Sequence, residues 1–318
     1  MCCVLFSGQG DQFIGMGKEL YDNFSVVKDI FKEVDDLLNE NLSKIIFCGP
    51  LDKLSSTLYA QPAIVTICVS IVKILELNNI NLNKICSFFA GHSLGQYMAL
   101  YAAKVLSFQD LIFLVKTRAS LMYKAVSNAK GAMLACFLTN LSEIVDVVKD
   151  ANKVGLINIA NYNSSSQVVL SGQVSAISYA KDVLSKKKIR TFLLNVEGAF
   201  HTKMMQKASD EFVNFLDKVK FGKFATPVID NVSARAINDV EKIKEILPNH
   251  IISSVLWSQS ISHYINYCFD KKCEVQFLNI GPKDTLAKLI KRDKITCKID
   301  SIFDVQSINN FLINYSGK

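Results

Sequence analysis

Several features that would place a chain in a broad class are scarce or missing here. The cysteines number nine, which is odd, and no Cys-x-x-Cys pair occurs. Cys68 and Cys86 lie inside apolar runs, where cysteine usually acts as a small buried hydrophobe. The cysteines therefore argue against a secreted disulfide scaffold and favour a reduced interior. Internal repeats and low-complexity tracts are also missing.

The chain also lacks a long basic block and an obvious membrane span. Its formal net charge of +7 is spread along 318 residues, which weakens a nucleic-acid function but suits a negatively charged partner or substrate. The apolar run 63–77 is interrupted by Lys73 and is short for a bilayer. The N-terminus enters directly as a strand without signal or transit character, so any targeting segment would have to be absent from this chain.

One missing glycine excludes a dinucleotide-binding loop near the N-terminus. The strand expected at 3–6 runs into Ser7-Gly8-Gln9-Gly10, but Phe13 stands where Gly-x-Gly-x-x-Gly needs its third glycine. Two interpretations of this loop stay open. Its backbone N–H groups either face a developing negative charge or simply turn the chain from strand to helix.

What the chain does contain is a sequence typical of a nucleophile elbow. The apolar run 85–90 predicts a buried strand, Gly91-His92-Ser93-Leu94-Gly95 follows it at once, and 97–103 is good helix sequence. In this context Gly-x-Ser-x-Gly holds its serine in a strained turn at the top of a sheet, with a helix N-terminus beneath it. Ser93 is therefore the candidate catalytic serine, and the alternative is a purely structural turn.

The pattern of the remaining segments predicts one fold with an insertion. Apolar spacing predicts helices at Lys18–Asn39, Leu51–Leu58, Gln61–Asn78, Phe108–Val126 and Ile251–Tyr267, with the last strand at Val275–Ile280. Between 131 and 196 the order becomes β-α-β-β-α-β, the ferredoxin-like pattern. We therefore predict an α/β fold in which a small domain, 127–196, is inserted into a large domain formed by 1–126 and 197–318.

A catalytic serine needs a base, and the chain has only four histidines. His92 flanks Ser93, so its side chain is expected on the other side of the elbow. His201 follows small residues at the domain junction, where loops tend to carry function, and is preferred over His263. Arg118 lies in a mostly apolar predicted helix and is either an ordinary solvated residue or a functional cation.

Together and in order, these residues resemble the malonyl-CoA:acyl-carrier-protein transacylases, the acyltransferases of type II fatty-acid synthesis. The resemblance covers nearly the whole chain and rests on Gly8-Gln9-Gly10, Gln61-Pro62-Ala63, Gly91-His92-Ser93-Leu94-Gly95, Arg118, Asn161-Tyr162-Asn163-Ser164, Gly198-Ala199-Phe200-His201 and Ile280-Gly281-Pro282. It implies an α/β-hydrolase-like large domain with an inserted ferredoxin-like small domain, which agrees with the pattern above.

The resemblance also implies a role for each matching residue. Ser93 would be the nucleophile, His201 the general base and acid, and Arg118 the partner of the free malonyl carboxylate. The backbone N–H groups of Gln9 and Leu94 would form the oxyanion hole. The remaining pocket residues would be Gln61, Met122, Asn161, Asn163 and Phe200, and neither a metal nor a bound cofactor is implied.

Members of this family orient the histidine with a backbone carbonyl rather than with an aspartate. The matching segment, 253–257, reads Ser-Ser-Val-Leu-Trp where Asn-Pro-Val-Gln-Trp is usual. The alignment of the two segments puts the orienting carbonyl at Leu256.

The implied reaction moves malonyl from malonyl-CoA to the phosphopantetheine thiol of acyl carrier protein, without nucleic acid or membrane. Carrier proteins of this type are acidic, and a positive rim could receive one; its candidate residues are Lys186, Lys187, Lys188, Arg190, Lys291 and Arg292. We further predict a monomer. The family's usual setting implies a plastid stroma-type, apicoplast-like compartment or a bacterial-type cytoplasm.

Two alternatives from other classes stay open. An ordinary α/β serine hydrolase would need an acid between Ser93 and a late histidine, together with an upstream HGGG-type loop, which the sequence lacks. A catalytically idle subunit that only binds carrier protein is disfavoured, because Ser93, His201 and Arg118 are all present.

Overall fold

The computed structural model describes residues 1–127, 130–137 and 140–316, and within them the strands form two separate sheets. The strands lie at Cys2–Phe6 (β1), Cys86–Gly91 (β2), Gly131–Phe137 (β3), Ile157–Ser164 (β4), Gln167–Gln173 (β5), Arg190–Leu193 (β6), Val228–Ile229 (β7), Ala236–Ile237 (β8), Gln276–Ile280 (β9) and Lys298–Ile302 (β10). The first sheet is six-stranded, in the order β10-β9-β1-β2-β7-β8, and the second is four-stranded, in the order β4-β5-β3-β6.

Helices cover both sheets and connect their strands. They lie at Lys18–Asn23 (α1), Ser25–Leu38 (α2), Leu42–Cys48 (α3), Leu51–Ser55 (α4), Thr57–Leu77 (α5), Leu82–Ile85 (α6), Gly95–Ala102 (α7), Phe108–Ser127 (α8), Leu141–Ala151 (α9), Val174–Lys186 (α10), Gln206–Leu216 (α11), Val240–Ile252 (α12), Trp257–Asp270 (α13), Thr285–Arg292 (α14) and Val305–Ser316 (α15), with a 3₁₀ turn at Lys203–Met205.

The first sheet brings several loops to one edge. β1 pairs in parallel with β2 and with β9, so that Phe6 lies opposite both Gly91 and Ile280. β7 pairs in parallel with β2, and β10 with β9. Because the carboxyl ends of parallel strands meet at the same edge, the loop after Phe6, the elbow after Gly91 and the loop after Ile229 lie side by side.

The second sheet has the β-α-β-β-α-β order that the sequence predicts for this segment. Its strand pairs are antiparallel, and α9 and α10 cover one face, where Leu134, Ile159 and Leu170 form a separate apolar cluster. On the other face, Met133 and Ala135 join the core of the first sheet. Residues 128–129 and 138–139 of the predicted insert, 127–196, lie outside the described part of the chain.

The long helix α5 is the central core helix. It begins at Thr57, before the expected start at Gln61, and Pro62 therefore lies inside the helix rather than in its first turn. With 21 residues it is long and apolar enough to cross a membrane by length and composition, which corrects the expectation from the sequence that no such stretch exists. Its most apolar window is 83% buried inside the protein, as in a core helix.

Three other segments differ from the predicted pattern. The helix expected over Lys18–Asn39 is broken at Phe24, whose backbone is extended. The helix expected over Ile251–Tyr267 is two helices, α12 and α13, separated by the segment 253–256. The sheet also continues past the expected last strand, because β10 pairs with β9 at its edge.

Candidate active site

The elbow is built by a very close approach of strand and helix. Ser93 has a left-handed backbone with φ of 49°, between β2 and α7. A Cβ added at Gly95 would lie 2.2 Å from the carbonyl oxygen of Phe6, and one at Gly91 would lie 1.9 Å from the carbonyl carbon of Gly95. Only glycine fits at these two positions, which is why the helix N-terminus can sit directly behind the serine.

The side chain of His201 lies within hydrogen-bond distance of the serine. Ser93 Oγ and His201 Nε2 are 2.8 Å apart, and His201 is 3% exposed. Burial, and after it the positive charge of Arg118, lowers the pKa of His201 to about 3. The imidazole is therefore neutral near pH 7 and able to accept a proton from the hydroxyl.

Two backbone carbonyls, of His250 and of Ser253, orient the imidazole. Both oxygens lie 3.0 Å from His201 Nδ1. The prediction of Leu256 for this role is wrong. α13 begins at Trp257, so the Leu256 carbonyl accepts the N–H of Ser260 at 2.9 Å and also its hydroxyl. The extended Ser253 at the end of α12 is what turns free carbonyls toward the histidine.

Arg118 reaches the serine from α8. Its Nη2 donates to Ser93 Oγ at 3.1 Å, and its Nη1 donates to Gln61 Oε1 at 2.8 Å. The side chain is 1% exposed, and burial lowers the pKa of Arg118. No Asp or Glu in the described ranges forms an ion pair with this guanidinium.

The predicted oxyanion-hole residues flank the serine. Leu94 follows it directly, and Gln9 lies in the neighbouring loop, where a Cβ at Gly8 would meet the His92 carbonyl oxygen at 2.5 Å. Among the described residues, neither the N–H of Gln9 nor that of Leu94 finds a hydrogen-bond acceptor. Two backbone donors are thus left free, one directly after Ser93 and one in the neighbouring loop.

The predicted pocket residues differ in how they relate to Ser93. Gln61 joins the network directly, because its Nε2 approaches Gln9 Oε1 at 3.2 Å and Met122 Sδ at 3.7 Å. Asn163 Oδ1 is 2.9 Å from His92 Nε2, behind the elbow. Asn161 is 5% exposed and pairs through its backbone with Val255, while Phe200 is buried just before His201. Within the described ranges, no side-chain hydrogen bond connects Asn161 to Ser93, and Phe200 has no polar side-chain atom.

Asn231 was not predicted from the sequence, and it contacts both the elbow and the histidine-orienting segment. Its Oδ1 accepts the Ser93 N–H at 2.7 Å, and its Nδ2 donates to the Gly91 carbonyl at 2.8 Å. Asn158 was also missed, and its Nδ2 donates to the His201 carbonyl at 3.1 Å. No local sequence pattern marks either residue.

The described part of the chain holds no group of three or more Cys, His, Asp or Glu side chains placed to bind a metal ion. His263, the competing base, packs on Phe88 instead, with ring centroids 6.1 Å apart. Among the described contacts, none joins this ring to Ser93. The geometry thus assembles one serine, one neutral histidine, one unpaired arginine and two free backbone donors.

Comparison with known proteins identifies the class of this site. The family model of the acyl transferase domain matches residues 4–292, so the chain is an acyltransferase. The malonyl CoA-acyl carrier protein transacylase of Bacillus subtilis is 34% identical over 306 residues, covering 96% of this chain and 94% of the relative.

Solved structures agree with the sequence relatives. An acyl-carrier-protein S-malonyltransferase from Bartonella henselae superposes with a TM-score of 0.93 at 33% identity, covering 99% of this chain and all of the other. A malonyl-transacylase in complex with its type II polyketide acyl-carrier protein superposes with a TM-score of 0.90 at 30% identity, covering 98% and 99%. The chain therefore belongs to the malonyl CoA-acyl carrier protein transacylase family.

Proposed function

We propose that this enzyme transfers malonyl from malonyl-CoA to the phosphopantetheine thiol of acyl carrier protein, through a malonyl ester on Ser93, for type II fatty-acid synthesis. The observation that carries the proposal is the position of Ser93 Oγ, 2.8 Å from His201 Nε2 and 3.1 Å from Arg118 Nη2. A base and a cation that both contact one hydroxyl suit the transfer of an acyl group with a carboxylate, because the base activates the hydroxyl and the cation binds the carboxylate. The names of the relatives point to the same substrates.

The first half-reaction forms the ester. His201 Nε2 takes the proton of Ser93 Oγ as the oxygen attacks the malonyl thioester carbonyl, and the resulting imidazolium is held by the carbonyls of His250 and Ser253. The tetrahedral intermediate collapses, the C–S bond breaks, and coenzyme A leaves with the proton from His201. The second half-reaction is the reverse, with the carrier thiol as attacking group.

The free N–H groups of Gln9 and Leu94 stabilise the oxyanion in both half-reactions. Each such donor is worth roughly 3–4 kcal/mol of transition-state stabilisation in comparable sites. Since both N–H groups lack a protein acceptor in the described ranges, they need no rearrangement when the charge develops. Arg118 Nη2 moves from Ser93 Oγ to the malonyl carboxylate, with Gln61 still holding Nη1.

The finer architecture belongs to the same proposal. The six-stranded sheet and its elbow support an α/β-hydrolase-like large domain, 1–126 and 197–318, and the four-stranded antiparallel sheet supports a ferredoxin-like insert, 127–196. We also propose that the enzyme works as a monomer, in an apicoplast-like plastid compartment or a bacterial-type cytoplasm, according to the family's usual setting.

The test is incubation with labelled malonyl-CoA followed by intact mass and peptide mapping. A malonyl adduct on Ser93 that is discharged by holo acyl carrier protein supports the transferase. The variant Ser93→Ala should not form this adduct. Rapid release of free malonate would instead indicate a hydrolase, and no adduct at all would indicate a binding subunit. His201→Ala should slow both half-reactions by several orders of magnitude, because such residues act as a unit. The matched control is His263→Ala, which should transfer normally.

A further inference from the structure

Asn231 is a fully buried residue that uses every polar group it has. It follows β7 by two residues, and its backbone N–H donates to Gln96 Oε1 at 2.8 Å. Its backbone carbonyl accepts the Leu256 N–H at 2.9 Å. These two main-chain hydrogen bonds already hold the loop in place, so the side chain is not needed for that purpose.

The orientation of the Asn231 amide is settled by its neighbours. Oδ1 faces the Ser93 N–H, which can only donate, and Nδ2 faces the Gly91 carbonyl, which can only accept. His250 Nε2 lies 3.2 Å from the same Oδ1. An amide oxygen cannot donate, so Nε2 of His250 carries the proton.

These contacts close a ring of hydrogen bonds around the reacting pair. The Ser93 N–H and the His250 Nε2–H both donate to Asn231 Oδ1. The His250 carbonyl accepts His201 Nδ1–H, and His201 Nε2 accepts Ser93 Oγ–H. The ring thus returns to the serine at which it began, and it joins the nucleophile to the group that orients its base.

We propose that Asn231 and the His250 side chain are positioning residues of the transfer reaction, which fix the separation of Ser93 Oγ and His201 Nε2 through this ring. The proposal rests on the function proposed above. Without the Asn231 amide, the left-handed Ser93 loses the acceptor of its N–H, and the carbonyl segment at His250 loses its link to the elbow. The pair can then separate, although Arg118 still binds the malonyl carboxylate.

The test compares Asn231→Leu with Asn279→Leu, a matched loss of a fully buried asparagine in β9 outside the ring. Asn231→Leu should lower kcat by roughly 10- to 100-fold, the scale of a misplacement of about 1 Å, while KM for malonyl-CoA stays within about threefold. Asn279→Leu should lose thermal stability but keep kcat. Equal kcat losses in the two variants, or none in either, would overturn the proposal.

Two further variants separate positioning from folding. His250→Gln keeps a side-chain N–H donor and the backbone carbonyl, so it should stay within about threefold of wild type, whereas His250→Leu should lose roughly 5- to 20-fold in kcat. If Asn231→Leu does not fold, the two His250 variants decide the question. Equal kcat values for His250→Gln and His250→Leu would refute the ring.

Asn231→Asp gives a signal that a merely structural role would not produce. It keeps an acceptor for the Ser93 N–H but adds a negative charge beside His250, one hydrogen bond away from His201. The charged and titratable groups that already face His201 are Arg118, His92 and His250. The new carboxylate should raise the pKa of His201 and move the acid limb of kcat/KM to higher pH. If the acid limb of kcat/KM did not move, Asn231 would not be coupled to His201 through the ring.

The rate at which a fluorophosphonate probe labels Ser93 separates this proposal from the proposed function. Labelling depends on the Ser93–His201 pair and not on the acyl donor. Slow labelling of Asn231→Leu in an enzyme that transfers no malonyl would refute the function and support the ring. Normal labelling of Asn231→Leu, in an enzyme whose wild type transfers malonyl, would support the function and refute the ring.

Discussion

The guanidinium of Arg118 is buried without a carboxylate of the described residues to balance it, and we predict that this single residue sets the acyl preference. Removing one partner of a buried charged pair costs roughly 2–5 kcal/mol. Arg118→Ala should therefore lower kcat/KM for malonyl-CoA by roughly 30- to several-thousand-fold. For acetyl-CoA, whose acyl group has no carboxylate that would lose its partner, kcat/KM should stay the same or increase. Steady-state kinetics with both donors measures this.

Arg118→Lys is the matched control for charge alone. An ammonium cannot grip both carboxylate oxygens as a guanidinium does, so the variant should recover only part of the malonyl rate. Equal losses for malonyl-CoA and acetyl-CoA in Arg118→Ala would mean that the arginine supports the fold rather than the substrate. The hydrogen bond to Gln61 would then be its main role.

Residues in motifs were predictable, whereas the carbonyls that orient His201 and the side chain of Asn231 were not. Gly-x-Ser-x-Gly marks Ser93 because its chemistry and its turn need particular residues at fixed spacing. A backbone carbonyl has no such signature, since any residue supplies one, and the prediction therefore fell on Leu256 instead of Ser253 and His250. Asn231 depends on a strand neighbour far away in sequence, so no local pattern marks it.

At the scale of elements, the elbow depends on a close contact of α7 with β1. A Cβ at Gly95 would lie 2.2 Å from the Phe6 carbonyl oxygen and 3.0 Å from that of Ser7. Gly95→Ala must therefore push the helix away from the sheet, at a cost of about 1–3 kcal/mol or more. We expect a lower midpoint of urea unfolding together with loss of Ser93 acylation.

Gly10→Ala is the comparison for this variant, because a Cβ there meets nothing within 4 Å. Its backbone φ of 114° still strains any side chain, so some stability is lost, but without displacement of α7. If Gly95→Ala were no less stable than Gly10→Ala, the close approach of helix and sheet would not be rigid.

Element types were predicted better than element ends. Apolar spacing placed a helix over Lys18–Asn39, but it cannot show that the backbone of Phe24 is extended and divides this segment into α1 and α2. Similarly, the edge strand β10 alternates half-buried and exposed residues, so its apolar signal is weak. Tertiary pairing with β9, rather than local sequence, makes it a strand.

At the scale of the whole molecule, burial of histidines makes stability depend on pH. Burial lowers the pKa of His92, of His201 to about 3, and of His250 well below its ordinary value. In the unfolded chain each pKa returns to about 6.5, so between the folded and unfolded values the unfolded chain binds more protons. The stability is therefore complete above pH 6.5 or so and is lost as the pH falls, by up to about 1.4 kcal/mol per pH unit for each histidine.

Urea unfolding between pH 5 and 7.5 measures this slope. The range lies above the ordinary carboxylate pKa values, so histidines dominate it. His250→Gln removes one buried histidine and should make the slope shallower, by up to about 1.4 kcal/mol per pH unit. His263→Gln is the comparison, since that ring is only half-buried and its removal should change the slope less. A stability independent of pH over this range would contradict the assignment of neutral buried imidazoles.

The proposed docking of carrier protein also involves the whole molecule, because its two arginines come from different parts of the fold. Arg190 on β6 and Arg292 on α14 both place their guanidinium 5.5 Å from the ring of Phe137 on β3. Both side chains are exposed, and no ion pair of the described residues includes them. Two unneutralised cations on one aromatic ring favour an acidic partner there.

Charge reversal tests this surface. Arg190→Glu with Arg292→Glu should raise KM for carrier protein, steeply at low salt, and leave KM for malonyl-CoA unchanged, because rim charges act mainly on association. The matched control is Lys218→Glu, which removes a cation 4.8 Å from the Phe215 ring beside α11, a helix that packs on α8 and α12. Equal effects on both substrates, or an effect of Lys218→Glu as large as that of the pair, would show that the carrier protein docks elsewhere. The two arginines would then be ordinary surface cations stacked on Phe137.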